Sequence, residues 1–206
     1  MCSTPHFRLC CMCCTIFTLI SMIILFFILF SVTPSSVKFH VTEASLTQFN
    51  LTNNNTMYFN FQVNITARNP NKNTIVYYRK ITAIAWYKDN AFAYVSLTPF
   101  DQGKKNTSFL QTAMFEGSSL IKLKPRQLAE YYTETRLSVY NDLAVDLDII
   151  VRYKYWGIKS IRFNPPIVQC RRLRVPLISN GTSIVSFNYT KCSNGYFFVD
   201  GNADDN

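Results

Sequence analysis

An apolar stretch near the N-terminus constrains this chain more than any other feature. It runs Thr15-Ile-Phe-Thr-Leu-Ile-Ser-Met-Ile-Ile-Leu-Phe-Phe-Ile-Leu-Phe-Ser-Val32, and no charge falls between Arg8 and Lys38. As a helix it is about 27 Å long at ~1.5 Å per residue, close to the ~30 Å hydrocarbon core of a bilayer. It contains no Gly or Pro, and Pro34 follows it. In lipid the backbone must pair its own polar groups, which a helix does despite the many β-branched residues. The reading is one membrane span over residues 15–33, a tail over residues 1–14, and one domain over residues 34–206. Two rivals fit less well. A cleaved signal peptide has an apolar region of ~7–15 residues and a small-residue cleavage site, and Val32-Thr33-Pro34 is a poor one. A core helix rarely runs this far without a charge.

Charge orients the span only slightly, toward a cytoplasmic N-terminus. The sequons argue more strongly. Asn-x-Ser/Thr occurs at Asn50, Asn54, Asn64, Asn106, Asn180 and Asn188, all after the span and none with a middle Pro. That density suggests exposure to the secretory lumen and N-glycosylation, although abundant Asn and Thr also produce accidental matches. The expectation is a membrane-anchored protein with its C-terminal domain on the non-cytoplasmic side.

The seven cysteines divide the same way. Cys2, Cys10, Cys11, Cys13 and Cys14 crowd against the N-terminal side of the span. On the cytoplasmic side thiols stay reduced, and Cys10, Cys11, Cys13 and Cys14 are palmitoylation candidates. The competing readings are apolar filler and, more weakly, a metal site, since zinc sites usually need two separated ligand pairs. Cys170 and Cys192 lie beyond the span and are a candidate disulfide, stabilising by roughly 3 kcal/mol in the chain-entropy model.

The domain reads as β-structure. Val37, Phe39 and Val41 alternate with polar residues, as do Phe59 to Ala67, Val145 to Tyr155, and Val185, Phe187 and Tyr189. Period two puts one face on a core and the other in water. Further strands are expected over 81–87, 92–97, 107–115, 158–164 and 168–175. Lys88-Asp-Asn90 and Trp156-Gly157 look like hairpin turns, and 126–140 is the one helix expected, entered after Pro125. Six to eight short strands imply an antiparallel β-sandwich. His40, on a polar phase, reads as a solvated surface residue.

Catalytic constellations are hard to find: no nucleophile elbow, no phosphate loop and no His/Glu metal pattern is visible. Asp146 and Asp148 share a strand face and are a conceivable acid–base pair, though a solvated face explains them better. Asp200, Asp204 and Asp205 read as a solvated tail. No enzyme and no cofactor is expected. Of 21 Lys and Arg only Arg8 precedes the span, leaving 20 against 12 Asp and Glu in the domain. Such an excess favours anionic partners, and the lumen excludes nucleic acid, leaving anionic lipid or acidic cell-wall polysaccharide. Arg171, Arg172 and Arg174 are the densest cluster; the competing reading is a charged edge strand that discourages aggregation.

Several segments together resemble the plant late embryogenesis abundant group 2 family, in its harpin-induced and non-race-specific-disease-resistance-like membrane branch. They are Ala67-Arg-Asn-Pro-Asn71 with Tyr77-Tyr78, Leu97-Thr-Pro-Phe-Asp-Gln-Gly103, Lys105-Asn-Thr107, and the late Cys pair around Leu173-Arg-Val-Pro-Leu177. Their residues suit architecture: Pro70 fixes φ and removes a donor, Asn71 tolerates turns, and Pro99 and Gly103 shape the turn before the next strand. The resemblance implies a fibronectin-like β-sandwich, a plasma-membrane location, defence-signalling membrane partners and a part in pathogen or stress responses. Two alternatives stand beside it. A lipid-binding sandwich is suggested by the 48% hydrophobic composition and 17 Phe, and a carbohydrate-active enzyme by the Asp146/Asp148 pair.

Overall fold

The computed structural model describes residues 5–178 and 186–201, with side chains for residues 12–28 and from Thr33 onward within those ranges. The chain forms two compact units, Met1–Ser35 and Ser36–Asn206. The first holds helix α1, Pro5–Val32. Its 28 residues make about 42 Å of helix. Among the described residues no helix is long and apolar enough to cross a membrane, but the backbone of α1 continues past both ends of the stretch with described side chains. The side chains of residues 12–28 are exposed all round. Thr15 and Thr18 turn their hydroxyls back onto the carbonyls of Met12 (2.9 Å) and Thr15 (2.8 Å), so the helix satisfies its own polar groups.

The second unit is two antiparallel sheets in a sandwich. The first has the order β11-β1-β2-β6, with β7 beside β6 on the same edge of β2. Its strands are β1 (Lys38–Leu51), β2 (Thr56–Arg68), β6 (Thr107–Phe109), β7 (Ala113–Leu120) and β11 (Thr190–Lys191). The second has the order β10-β8-β3-β4, with β5 on β3 and β9 on β8. It comprises β3 (Thr74–Tyr87), β4 (Asn90–Leu97), β5 (Phe100–Gln102), β8 (Val139–Tyr155), β9 (Ile158–Lys159) and β10 (Val168–Pro176). Helix α2 (Pro125–Leu137) precedes β8.

Alternation explains the core. Val37, Phe39, Val41, Phe59, Phe61, Val63, Ile65, Val145, Leu147, Ile149 and Val151 are all buried, each contributing about 1.5–3 kcal/mol by leaving water. Much of the Phe content goes into this interior, including Phe49, Phe92, Phe115 and Phe197.

The sandwich has two distinct ends. At the entry end, Lys38 pairs with Arg68 and Thr74 with Tyr155. The turns around Asn73 and Asn71 bond there to Trp156 and Lys105. At the far end sit the Lys88–Asp89 hairpin and α2. Positive φ at Lys88 (47°) and Asp89 (65°) makes a two-residue turn with the right twist for a hairpin. The Gln127 side chain accepts a hydrogen bond from the Lys124 N–H at 2.9 Å and caps α2, with Pro125 in the first turn. Ser138 turns left-handed (φ 54°) and ends the helix at Leu137, three residues before the expected limit.

Other expectations change as well. The strand expected over 107–115 is two strands, β6 and β7, because Leu110 to Thr112 stand opposite only Asn64 and Ile65 of β2 and break the register, although the Leu110 N–H still donates to the Ile65 carbonyl at 2.9 Å. Only Ile158–Lys159 and a bridge at Phe163 form in 158–164. Of Val185, Phe187 and Tyr189, Val185 lies outside the described residues, Phe187 is half-buried and Tyr189 exposed; the strand there is only Thr190–Lys191. The left-handed residue after β5 is Lys105 (φ 47°), whereas Gly103 has no positive φ. His40 is half-buried, stacked on Tyr189 at 4.9 Å.

Candidate functional site

The outer face of the second sheet carries the strongest concentration of functional side chains at its far end. Register places Trp86 opposite Ala144 and Ile84 opposite Asp146, while Gln169 on β10 also faces Asp146. A register shift between Cys170 and Leu173 lets two consecutive residues, Arg171 and Arg172, stay exposed, with Arg172 at φ 56°. Arg171 donates to Asp146 Oδ2 at 2.7 Å and its guanidinium lies 5.5 Å from the Trp86 ring centre. Cation–π attraction and a charge-assisted hydrogen bond therefore hold one side chain in place.

Two polar atoms here have no protein partner. Trp86 Nε1 and Asp146 Oδ1 are buried without a hydrogen bond, although the Asp146 side chain is only 5% exposed. Burial pushes the Asp146 carboxyl above its ordinary range, and Arg171 partly offsets that. Beside them opens a cavity of about 670 Å³ lined by Trp86, Lys88, Asp89, Asp142, Ala144, Arg171 and Arg172. Lys88 is 4% exposed and answered by Glu130 at 2.9 Å and Glu134 at 3.7 Å. Arg172 is thus the cavity's most available cation. A planar aromatic edge, an N–H donor, guanidinium groups and carboxylates suit a polyhydroxylated ligand bearing acid groups.

The arginine cluster does not act as a unit. Arg171 and Arg172 line the cavity and Arg174 does not; all three are exposed on β10, an edge strand. Asp146 is committed to Arg171, while Asp148 is half-exposed on the same face. That arrangement does not suit a solvent-accessible acid–base pair. Among the described residues no His, Cys, Asp or Glu cluster of metal-binding type occurs.

The sequons divide by sheet. Asn50, Asn54, Asn106 and Asn188 are exposed, and Asn64 is half-buried. Asn50, Asn54, Asn64 and Asn188 belong to the first sheet or its turns, while Asn106 lies in the turn from β5 to β6 that passes between the sheets. Asn64 donates to Glu43 at 2.8 Å and accepts from Thr112 at 2.9 Å. Asn180 lies outside the described residues, as do the side chains of Cys10 and Cys11; Cys13 and Cys14 are exposed thiols. Cys170 and Cys192 form a disulfide, with Cα atoms 4.2 Å apart, joining β10 of one sheet to the residue after β11 of the other.

The Asn-Pro-Asn and Pro-Phe-x-Gln-Gly segments meet at the entry end. Asn69 is fully buried; its Nδ2 donates to the carbonyls of Thr74 (2.8 Å) and Gly103 (2.9 Å), and its Oδ1 accepts from the Asn71 N–H (3.1 Å). Gln102 Nε2 donates to the Ala67 carbonyl at 2.7 Å, and its Oε1 accepts from Tyr78 at 3.0 Å. Tyr78 stacks on Phe100 at 4.4 Å. These side chains tie three turns together, so the motif is architectural. A family model described as late embryogenesis abundant protein matches residues 64–170, which contain this cluster. The chain belongs to that family.

Curated relatives agree. The chain is 40% identical to NDR1/HIN1-like protein 10 of Arabidopsis thaliana over 157 residues, covering 75% of this chain and 68% of the relative. It is 38% identical to NDR1/HIN1-like protein 3 and 33% identical to NDR1/HIN1-like protein 2 of the same plant, each over 77% of this chain, covering 68% and 65% of those relatives. It is thus a member of a plant stress- and defence-related family. The arginines were visible in sequence as a charge cluster, but their meeting with Trp86 and Asp146 gave no sequence signal, because it depends on register across three strands.

Proposed function

We propose that this chain is a non-enzymatic, single-pass plasma-membrane glycoprotein of plant defence and stress responses. Helix α1 crosses the bilayer with the N-terminus in the cytoplasm. The fibronectin-like sandwich faces the wall and binds acidic cell-wall polysaccharide, presenting the bound state to defence-signalling membrane proteins. The cleft beside Trp86, Arg171 and Arg172, with two buried polar atoms unpartnered at its edge, carries this reading. A carboxylated sugar chain would pair with Arg172 and meet the indole edge. The α1 span is supported by the uncharged run between Arg8 and Lys38.

Calorimetric titration of the full chain in nanodiscs with oligogalacturonate, against a neutral oligoglucan, tests the binding. Selective binding of the acidic chain, lost in Arg172→Asn, is expected; Asn tolerates the left-handed backbone there, so the variant removes charge with little strain. Equal binding of both sugars, or of neither, overturns the assignment.

A further inference from the structure

The end opposite the cleft has a chemistry of its own. Strand β8 runs into Lys154-Tyr-Trp-Gly-Ile-Lys-Ser-Ile-Arg162, with Trp156 (φ 47°) and Gly157 (φ 92°) forming the hairpin tip. Cross-strand pairing sets Lys154 against Lys159 and Tyr155 against Ile158. Trp156, Ile158 and Ile161 are 71%, 77% and 80% exposed. Three large apolar side chains clustered on one hairpin and left in water call for a partner.

Cations surround them. The Trp156 N–H bonds to the Asn73 carbonyl and the Lys105 N–H to the Asn71 carbonyl, so the turns holding Lys72, Lys104 and Lys105 lie beside the hairpin. Residues 69–73, 103–107 and 154–162 contain no Asp or Glu. Asp101, just before them, is paired with Arg79 at 3.3 Å. Lys104, Lys154 and Trp156, with Asn73, Ile75 and Gly157, line a cavity of about 330 Å³. On the same end His40 is pushed below its ordinary pKa, first by burial and then by Lys191 and Lys38, consistent with a positive field. The hydrogen bonds that buried Asn69 donates to the Thr74 and Gly103 carbonyls, and buried Gln102 to the Ala67 carbonyl, fix these turns in place before any ligand arrives.

From this geometry we infer that the entry end of the sandwich is a second binding surface, seated on an anionic phospholipid bilayer. Trp156, Ile158 and Ile161 enter the headgroup–acyl boundary, where an indole is apolar on its body and polar at its N–H. The lysines answer headgroup phosphates and carboxylates while their stems lie along the apolar edge. A polysaccharide would leave the isoleucines in water, and a bilayer does not. Only residues 33–37 separate the end of α1 from β1, which begins at this end; the inference rests on the membrane-anchored reading for the side from which lipid is met. It has a cost. Asn106 shares a turn with Lys104 and Lys105, so a glycan there and headgroup contact by that turn exclude each other.

The test uses the full chain in bilayers of phosphatidylcholine alone or mixed with phosphatidylserine, and lipids brominated near the headgroup. Trp86 and Trp156 are the two tryptophans, so the difference between wild type and Trp156→Phe isolates the Trp156 signal. Quenching and a blue shift in the mixed bilayer are expected. Both should be lost in high salt, in Lys104→Glu/Lys154→Glu, and in phosphatidylcholine alone, with Asn106 unglycosylated in the quenched population. Water-like Trp156 emission in a chain that resists alkaline extraction overturns the inference while leaving the anchor standing. An emission shift with soluble polygalacturonate in place of anionic lipid also overturns it, as does an occupied Asn106 in quenched chains.

Discussion

Asp146 shows how burial and pairing oppose one another at a single carboxyl. Burial pushes its pKa above the ordinary 3.8, and Arg171 pulls it back. The folded state therefore holds the proton more tightly than the unfolded chain. The contribution to stability is largest below about 3.8 and falls as pH rises through the folded pKa. Arg171→Ala removes the pull. The Asp146 pKa should then rise further, seen in the side-chain carboxyl carbon shift across an acid titration. Neutral-pH stability should fall by about 1–2 kcal/mol, at the low end for a broken ion pair because Arg171 is partly exposed. An unchanged or lower Asp146 pKa would contradict this account. Asn69 is the contrasting case. Every hydrogen bond of its buried amide is made within the chain, so it has nothing left for a ligand.

Among the elements, α2 is held at the far end by buried Tyr131, whose hydroxyl accepts from the Leu51 N–H at 2.8 Å, and by Glu134. The Tyr87 hydroxyl donates to Glu134 Oε2 at 2.6 Å, the Asn141 N–H to its Oε1 at 3.2 Å, and Lys88 lies 3.7 Å away. Around them Phe49 packs edge to face on Tyr87 at 5.0 Å and on Tyr140 at 4.7 Å. Glu134→Ala leaves a buried hydroxyl and a nearly buried lysine without this partner. It should cost about 3 kcal/mol in urea unfolding, and Glu134→Gln clearly less, because the amide oxygen still accepts from Tyr87. Equal costs would mean that the charge rather than the hydrogen bond holds α2. Elements with one buried face were legible in sequence where alternation held: β2, the start of β1 to Val41, and β8 from Val145 to Tyr155. The second half of β1 escaped because register shifts between Val41 and Glu43 and between Leu46 and Gln48 break its period. The first half of β3 escaped because the register shift between Tyr78 and Lys80 breaks the alternation. The β6–β7 break escaped because both pieces keep strand-like composition. Arg171 and Arg172 were visible as a cluster, but Trp86 joins them only through a neighbouring pair of strands, which no local pattern encodes.

The whole domain is a two-ended body. Trp86 and Trp156 lie near opposite ends of the second sheet, and Ala144 to Tyr155 along β8 is about 36 Å at ~3.3 Å per residue. The described sequons lie on the other sheet or, at Asn106, in the entry-end turn between the sheets, so glycans would leave the cleft at the far end open. The Cys170–Cys192 bond ties one sheet to the other across 22 residues. Cys170→Ser/Cys192→Ser should lower stability by about 3 kcal/mol while leaving Trp156 in lipid, because the hairpin is held by Asn73 and β9 rather than by the bridge. Loss of both together would mean that the entry end depends on the sheets staying joined. The arrangement as a whole depends on α1 holding the sandwich on the non-cytosolic side of a membrane. Protease protection of an N-terminally tagged full chain in sealed plant microsomes, with and without glycosidase, asks that directly. A cleaved tag, with a protected C-terminal domain that shifts on glycosidase treatment, is the predicted result. A protease-sensitive, unglycosylated C-terminal domain would place the sandwich in the cytosol and contradict the account.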